Sequence, residues 1–131
     1  MRSLEAVRVL VVEDDEDSRE MTRLALEAAG AVVTVAASAQ EALDTLAAEV
    51  PDVMLSDISM PGQDGRTLLR RMRAVLKKRH ARVPAVALTA LDSREDRVAS
   101  REAGFHYHLD KPVDPKKLIE VLSGVVRLTR G

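Results

Sequence analysis

The chain has 131 residues, of which 46% are hydrophobic, 31% are charged and only 2% are aromatic, and its net charge is −1. This length suits one domain, and the scarcity of aromatic residues predicts an aliphatic core. The charge balance provides no basic surplus for direct binding of nucleic acid or of an anionic membrane. Without cysteine there is no disulfide framework or thiolate metal site. No apolar stretch is long enough for membrane insertion and the N-terminus lacks signal-peptide features, so we expect a cytoplasmic protein.

The first predicted strand covers residues 7–12 and is followed by a helix from about Ser18. Gly30 is a typical C-terminal signal for that helix. Its helical period predicts one inward-facing apolar side, made of Met21, Leu24, Ala25 and Ala28.

The second predicted strand covers residues 31–37, and Ser38 with Glu41 forms a capping box for the second helix. That helix carries a continuous apolar stripe made of Ala39, Ala42, Leu43, Leu46, Ala47 and Val50. The third strand, residues 52–57, ends in an aspartate and is followed by the turn-forming residues of the sequence SMPGQDG.

The third helix follows Gly65, and the fourth strand covers residues 84–89. The third helix directs a strong apolar face inward, made of Leu68, Leu69, Met72, Val75 and Leu76. The fourth helix has only a thin apolar face, made of Val98, Ala99 and Ala103. Residues 105–109 form the fifth strand, and Asp114 with Pro115 begins the last helix.

Five strands alternating with five helices predict an α/β domain with a parallel sheet covered on both faces. We expect a single domain over residues 1–131, with its core at about 6–128 and no output domain. Ligands of such sheets bind at the carboxyl ends of the strands. The residues predicted to meet at that edge are Glu13, Asp14, Asp57, Thr89 and Lys111.

The chemistry of these residues indicates phosphoryl transfer. Three close carboxylates repel one another unless a hard divalent cation such as Mg²⁺ is bound. A carboxylate is also a nucleophile that forms an aspartyl phosphate. Lys111 and the hydroxyl of Thr89 supply the charge and the hydrogen bond that such a transfer requires.

Four stretches of the chain resemble one known family: VLVVEDDEDSRE, DVMLSDISMPGQDG, ALTA and LDKP, in this order. The family is the receiver domain of bacterial two-component response regulators, and the resemblance covers essentially the whole chain. It implies a flavodoxin-like (βα)5 doubly wound sheet with strand order 2-1-3-4-5.

The resemblance implies that Asp57 is the phosphoacceptor. It implies a Mg²⁺ (or Mn²⁺) ion held by the side chains of Asp14 and Asp57 and by the backbone carbonyl of Ser59. Glu13, where many relatives have Asp, is then expected to act through a metal-bound water.

In the same way Thr89 is implied as the switch hydroxyl and Lys111 as the contact to the phosphate, and the Lys111–Pro112 bond is expected to be cis. At the switch position, where many relatives carry Tyr or Phe, this sequence has His108. His108 with the following stretch LDKPVDPKKL is similar to receivers attached to hybrid sensor kinases.

The resemblance implies a signalling domain that catalyses its own phosphorylation and autodephosphorylation but does not turn over an external substrate. Its implied partners are a sensor histidine kinase or phosphotransfer protein, and a downstream protein bound by the helix 4/strand 5/helix 5 face. One alternative is a phosphorylation-independent interaction module. Another is an aspartyl-phosphate hydrolase, which requires a second acid where this chain has Ser59.

Two other features have alternative interpretations. His106 and His108 share one face of a strand and could bind zinc, but no third ligand lies nearby in the sequence. The basic run at residues 77–82 is typical of a solvated helix end, and no aromatic residues interleave with it as nucleic-acid stacking requires.

Overall fold

The computed structural model describes residues 3–60, 63–79, 82–90 and 93–130. The strands of its main sheet are β1 (Arg8–Val12), β2 (Val32–Ala36), β3 (Val53–Asp57), β4 (Ala85–Thr89) and β5 (Tyr107–Asp110). The helices are α1 (Glu16–Ala28), α2 (Ala39–Ala48), α3 (Gly65–Lys78), α4 (Arg94–Ala103) and α5 (Pro115–Arg130). Two short strands after β3, Ser59–Met60 and Gln63–Asp64, form a separate antiparallel pair that is not part of the main sheet.

The five strands form one parallel sheet in the order β2-β1-β3-β4-β5, which confirms the predicted topology. Every residue of β3 and β4 is buried, as expected for strands that have helices on both faces. Because all strands run the same way, their carboxyl ends lie at a single edge of the sheet. That edge positions the candidate site.

The sheet separates two aliphatic cores. On one face, side chains of α2 and α3 pack with the sheet, including Leu43, Leu46, Leu68, Leu69, Met72 and Leu76. On the other face α1 and α5 contribute Leu26, Leu118, Leu122 and Val126. Helix α4 buries only Ser100, which confirms its predicted thin apolar face.

Side-chain caps begin two helices where the sequence predicts them. Ser38 Oγ accepts a hydrogen bond of 3.2 Å from the backbone N–H of Glu41 at the start of α2. Asp114 Oδ1 accepts from the backbone N–H of Lys116 at 3.0 Å, with Pro115 as the first residue of α5. These bonds satisfy N–H groups that have no partner within the helix.

None of the described helices is both long enough and apolar enough to cross a bilayer.

The predicted apolar face of α1 is wrong. Met21 is 71% exposed and Leu24 is 54% exposed, whereas Leu26 is fully buried. The face that lies against the sheet contains Arg19, Thr22 and Leu26, which also recur at helical spacing. In this orientation Leu26 packs in the core, and Arg19 Nη1 donates a hydrogen bond of 3.0 Å to the carbonyl oxygen of Glu13. The number of hydrophobic residues does not identify this face of α1, because an arginine can bury the aliphatic part of its side chain.

This orientation of α1 predicts unequal effects of two leucine truncations. We expect Leu26→Ala to lower the free energy of unfolding by about 3 kcal/mol, because it leaves a cavity in the core. The matched control Leu24→Ala removes an exposed side chain and is expected to change it by less than about 0.5 kcal/mol. Urea denaturation of both variants measures the difference, and equal losses would contradict the observed orientation.

Candidate functional site

The candidate site lies at the carboxyl edge of the sheet, where polar residues lie at or just after the ends of four strands. Glu13 follows β1, Asp57 closes β3, Thr89 closes β4, and Lys111 follows β5. The backbone fixes these positions: Glu13 N–H donates to Ala36 O at 3.0 Å, and Lys111 N–H donates to Thr89 O at 2.8 Å. The site residues are therefore held by the sheet ladder.

The ammonium group of Lys111 links the two buried acids. Its Nζ lies 2.7 Å from Asp57 Oδ2 and 3.2 Å from Glu13 Oε1. Glu13 and Asp57 are almost completely buried, at 1% and 5% exposure. One cation thus faces two buried carboxylates, an arrangement that leaves negative charge only partly compensated.

The acidic residues fit a hard divalent cation. Glu13, Asp14 and Asp57 each offer a carboxylate oxygen, and these oxygens all lie within 4.8 Å of one another. Among the described residues, Glu13 Oε2 is the one buried side-chain atom without a hydrogen-bond partner. Such an atom is costly unless something binds it. An all-oxygen ligand set of this kind suits Mg²⁺, which retains waters around a few carboxylates.

The pKa values reflect this crowding. Burial raises the pKa of the Glu13 carboxyl from 4.5 to about 7, and the hydrogen bond and the charge of Asp57 add to the rise. Burial lowers the pKa of Lys111, but its hydrogen bonds to Asp57 and Glu13 and their charges outweigh burial and raise it overall. Lys111 is therefore a cation at neutral pH, while the carboxyl of Glu13 gains and loses its proton around neutral pH when no metal is bound.

The raised pKa of Glu13 predicts a pH-dependent stability. Between pH 4.5 and about 7, Glu13 holds its proton in the folded protein but loses it in the unfolded chain. The folded state then binds more protons, so the free energy of unfolding falls as pH rises through this window. We expect Glu13 to contribute a loss of about 3 kcal/mol between pH 4 and pH 8 in the metal-free protein.

The control for that pH dependence is Glu13→Gln, which cannot ionise. Urea denaturation in EDTA at pH 4 and pH 8 gives the change in unfolding free energy for wild type and variant. The difference between the two proteins isolates the contribution of Glu13. Parallel pH dependences would show that Glu13 ionises normally in the fold.

The remaining predicted residues have varied environments. Thr89 is fully buried, and its hydroxyl donates to Asp110 Oδ1 at 2.9 Å. His108 is half-buried on β5, opposite Ala87 of β4. The Lys111–Pro112 peptide bond is cis, as expected. Ser59 begins the short strand after Asp57, and its role as a carbonyl ligand stays a prediction.

The alternative zinc interpretation of the histidines gains no support. Within the described ranges, the one cluster of three potential metal ligands is the acidic one around Asp57. His106 instead accepts a hydrogen bond at Nδ1 from the backbone N–H of Ala85, at 3.2 Å. The basic run at 77–82 includes residues 80 and 81, which lie outside the described residues.

Two residues at the site were not predicted from the sequence. Arg19 donates to the carbonyl oxygens of Glu13 and Asp14, at 3.0 and 3.4 Å, and so holds the acidic turn. Asp110 binds the hydroxyl of Thr89. The LDKP motif placed Asp110 beside Lys111, but only the register of β4 and β5 shows that it pairs with Thr89.

A family model described as the response regulator receiver domain matches residues 9–123 of the chain. The chain belongs to this family. The receiver domain is a signalling domain, and the two-component resemblance of the sequence motifs is thereby confirmed. Receiver domains interact with kinases and downstream effectors.

The receiver domain is similar to proteins of known sequence from several organisms. It is 45% identical over 122 residues to the "Uncharacterized 14.6 kDa protein in sodA1 3'region" of Leptolyngbya boryana, covering 93% of this chain and 92% of that protein. It is 36% identical over 125 residues to response regulator MprA of Mycobacterium bovis, covering 95% of this chain. The chain spans about half of MprA, 53% of its length.

Solved structures show the same fold. A CheY-like receiver domain protein from Methanospirillum hungatei superposes with a TM-score of 0.82 at 30% identity, covering 96% of this chain and 98% of that chain. Chemotaxis protein CheY4 of Vibrio cholerae gives a TM-score of 0.82 at 30% identity, with 92% and 98% covered.

Proposed function

We propose that this receiver domain accepts a phosphoryl group on Asp57 from a phosphohistidine of a sensor histidine kinase or phosphotransfer protein. One observation carries the proposal: Asp57 is a buried carboxylate at the end of a central strand, 2.7 Å from the Lys111 ammonium and beside two further acids. Nucleophile, cation and metal-binding oxygens thus converge at one point. The same proposal places the reaction in the cytoplasm, where ATP is available to phosphorylate the donor.

The chain's own residues would carry out the transfer as follows. A carboxylate oxygen of Asp57 attacks the phosphorus, and the bond from phosphorus to the imidazole nitrogen breaks. The imidazole keeps the electron pair and takes up a proton from solvent. Lys111, now 2.7 Å from Asp57 Oδ2, is positioned to bind a phosphoryl oxygen once that carboxylate is esterified. Thr89 would donate its hydroxyl proton to another phosphoryl oxygen.

The acidic residues would hold the metal ion around this reaction. Asp14 and Asp57 would bind Mg²⁺ or Mn²⁺ by their side chains, Ser59 by its carbonyl, and Glu13 through a water. When bound, the ion neutralises charge that develops on the phosphoryl oxygens.

The product of the proposed reaction is the phosphorylated domain itself. The domain would catalyse its own phosphorylation and slow autodephosphorylation, and would not turn over an external substrate. Ser59 stands where a hydrolase of this chemistry needs a second acid. A phosphorylation-independent module has no need of the contacts that join Lys111 to Asp57 and Glu13.

The surface formed by α4, β5 and α5 is the proposed site for a downstream protein. Tyr107 is the exposed large side chain of β5, at 45% exposure. Beside it lies a groove of about 370 Å³, lined in part by His108, Pro112, Val113 and Lys117. Asp110, the strand partner of Thr89, also lines this groove, so a change at the site has a short path to it.

Phosphoramidate tests this function, because its phosphorus–nitrogen bond resembles that of phosphohistidine. With Mg²⁺ we expect one phosphoryl group per chain, and we expect hydroxylamine to remove it as it removes acyl phosphates. An adduct that resists hydroxylamine would indicate a hydroxyl acceptor instead. Continuous phosphate release from p-nitrophenyl phosphate over many turnovers would favour the hydrolase.

A further inference from the structure

The hydroxyl of Thr89 already has a partner in this structure. Its Oγ1 lies 2.9 Å from Asp110 Oδ1 and 3.4 Å from the carbonyl oxygen of Leu109. A hydroxyl has one proton to donate, and the carboxylate is both the nearer and the stronger acceptor. Since Thr89 is fully buried, bulk water does not compete for that proton. The Thr89 hydroxyl therefore donates to Asp110.

The sheet itself builds this contact. Thr89 and Asp110 are direct neighbours in the parallel register of β4 and β5, so their side chains stand on the same face. The ladder continues past the pair, because the backbone N–H of Lys111 donates to the carbonyl oxygen of Thr89 at 2.8 Å. The register of the two strands therefore brings the two side chains together in the unphosphorylated protein.

We propose that Asp110 is a positioning residue that holds the Thr89 hydroxyl in the unphosphorylated state and releases it when a phosphoryl group is present on Asp57. This inference rests on the proposed function, in which Thr89 binds a phosphoryl oxygen. The single hydroxyl proton cannot serve both acceptors. Formation of the phosphorylated state must therefore break the bond from Thr89 to Asp110, and that bond opposes phosphorylation.

The consequence is that Asp110 sets how readily the domain enters its phosphorylated state. A hydrogen bond to a carboxylate stabilises the unphosphorylated form, and under this proposal that bond is absent from the phosphorylated form. Removing the acceptor should therefore favour the phosphorylated form. This effect depends entirely on the Thr89 hydroxyl, which makes it separable from any general effect of the charge of Asp110.

Binding of beryllium fluoride in the presence of Mg²⁺ measures this balance at equilibrium, because the complex mimics a phosphoryl group on a carboxylate. We expect Asp110→Ala to bind beryllium fluoride about five times more tightly than wild type. Asp110→Asn retains an acceptor oxygen without the charge, so we expect a gain clearly smaller than that of Asp110→Ala. Equal gains in the two variants would mean that charge alone acts, and would overturn the proposal.

A double-mutant cycle with Thr89→Val provides the decisive comparison. The valine side chain has the shape of threonine but no hydroxyl, so Asp110→Ala should change affinity less than about twofold in that background. A fivefold gain that persists there would overturn the proposal. Unfolding curves of each variant confirm that the affinities refer to folded protein.

The same titrations separate this inference from the proposed function. Wild-type protein that binds no beryllium fluoride would contradict phosphorylation on Asp57 itself. Wild-type protein that binds it, with no gain in Asp110→Ala or Asp110→Asn, would contradict only the role of Asp110.

Discussion

Replacing Asp57 by Asn will reduce phosphorylation of the domain to background, at least about 1,000-fold below wild type. The carboxylate is the nucleophile, and an amide oxygen is too weak a nucleophile to replace it. Asn has nearly the same shape, and its oxygen can still accept from Lys111 Nζ, which lies 2.7 Å from Asp57 Oδ2 in the wild type. The variant should therefore remain folded while its chemistry is lost.

Radiolabelled acetyl phosphate with Mg²⁺ measures this loss, with thermal unfolding as the check on folding. The matched control is Asp17→Asn, which removes an exposed acid from the first turn of α1 and should be labelled like wild type. Label retained by folded Asp57→Asn would mean that another residue is the acceptor.

Replacing Lys111 by Ala is expected to slow phosphorylation about 100-fold. The ammonium is the protein's cation at the acceptor, with Nζ contacts of 2.7 Å to Asp57 and 3.2 Å to Glu13. Without it, charge that develops on the phosphoryl oxygens loses a preorganised partner. Because the acceptor and the acidic ligands remain, the variant should still bind Mg²⁺ and should still be labelled slowly.

Initial rates of labelling at saturating Mg²⁺ give this effect directly. Lys116→Ala is the matched control, since Lys116 is an exposed lysine in the first turn of α5. Its rate should equal that of wild type. A Lys111→Ala rate within twofold of wild type would remove Lys111 from the mechanism.

The sequence predicts the sheet and the main site residues for a clear physical reason. Parallel strands bring their carboxyl ends to one edge, so a strand-end acid such as Asp57 can be placed from the order of elements alone. The closeness of Glu13 and Lys111 to Asp57 follows in the same way, because both come directly after strands of the same sheet. The motifs and their spacing also indicate the family, which the match to residues 9–123 confirms.

Hydrophobicity alone could not predict which face of α1 is buried, because two different sets of residues recur at helical spacing along this helix. The more apolar stripe, with Met21 and Leu24, faces solvent, and the stripe with Arg19 and Leu26 faces the sheet. The packing of the whole domain decides between them: Leu26 joins the core between the sheet and α5, and Arg19 hydrogen-bonds the carbonyl oxygen of Glu13.

The environment of Thr89 depends on the register between β4 and β5, which pairs residues that are distant in the sequence. The sequence indicates that both strands exist, but strand register must be known before Asp110 can be paired with Thr89. A shift of one residue would place Asp110 on the opposite face of the sheet.

The most direct test of the central claim is the intact mass of wild-type protein after incubation with acetyl phosphate, with and without Mg²⁺. The account predicts a single added phosphoryl group that forms only when Mg²⁺ is present. Folded protein that binds Mg²⁺ yet gains no mass would contradict it, and the acidic site would then be a metal site without phosphoryl transfer.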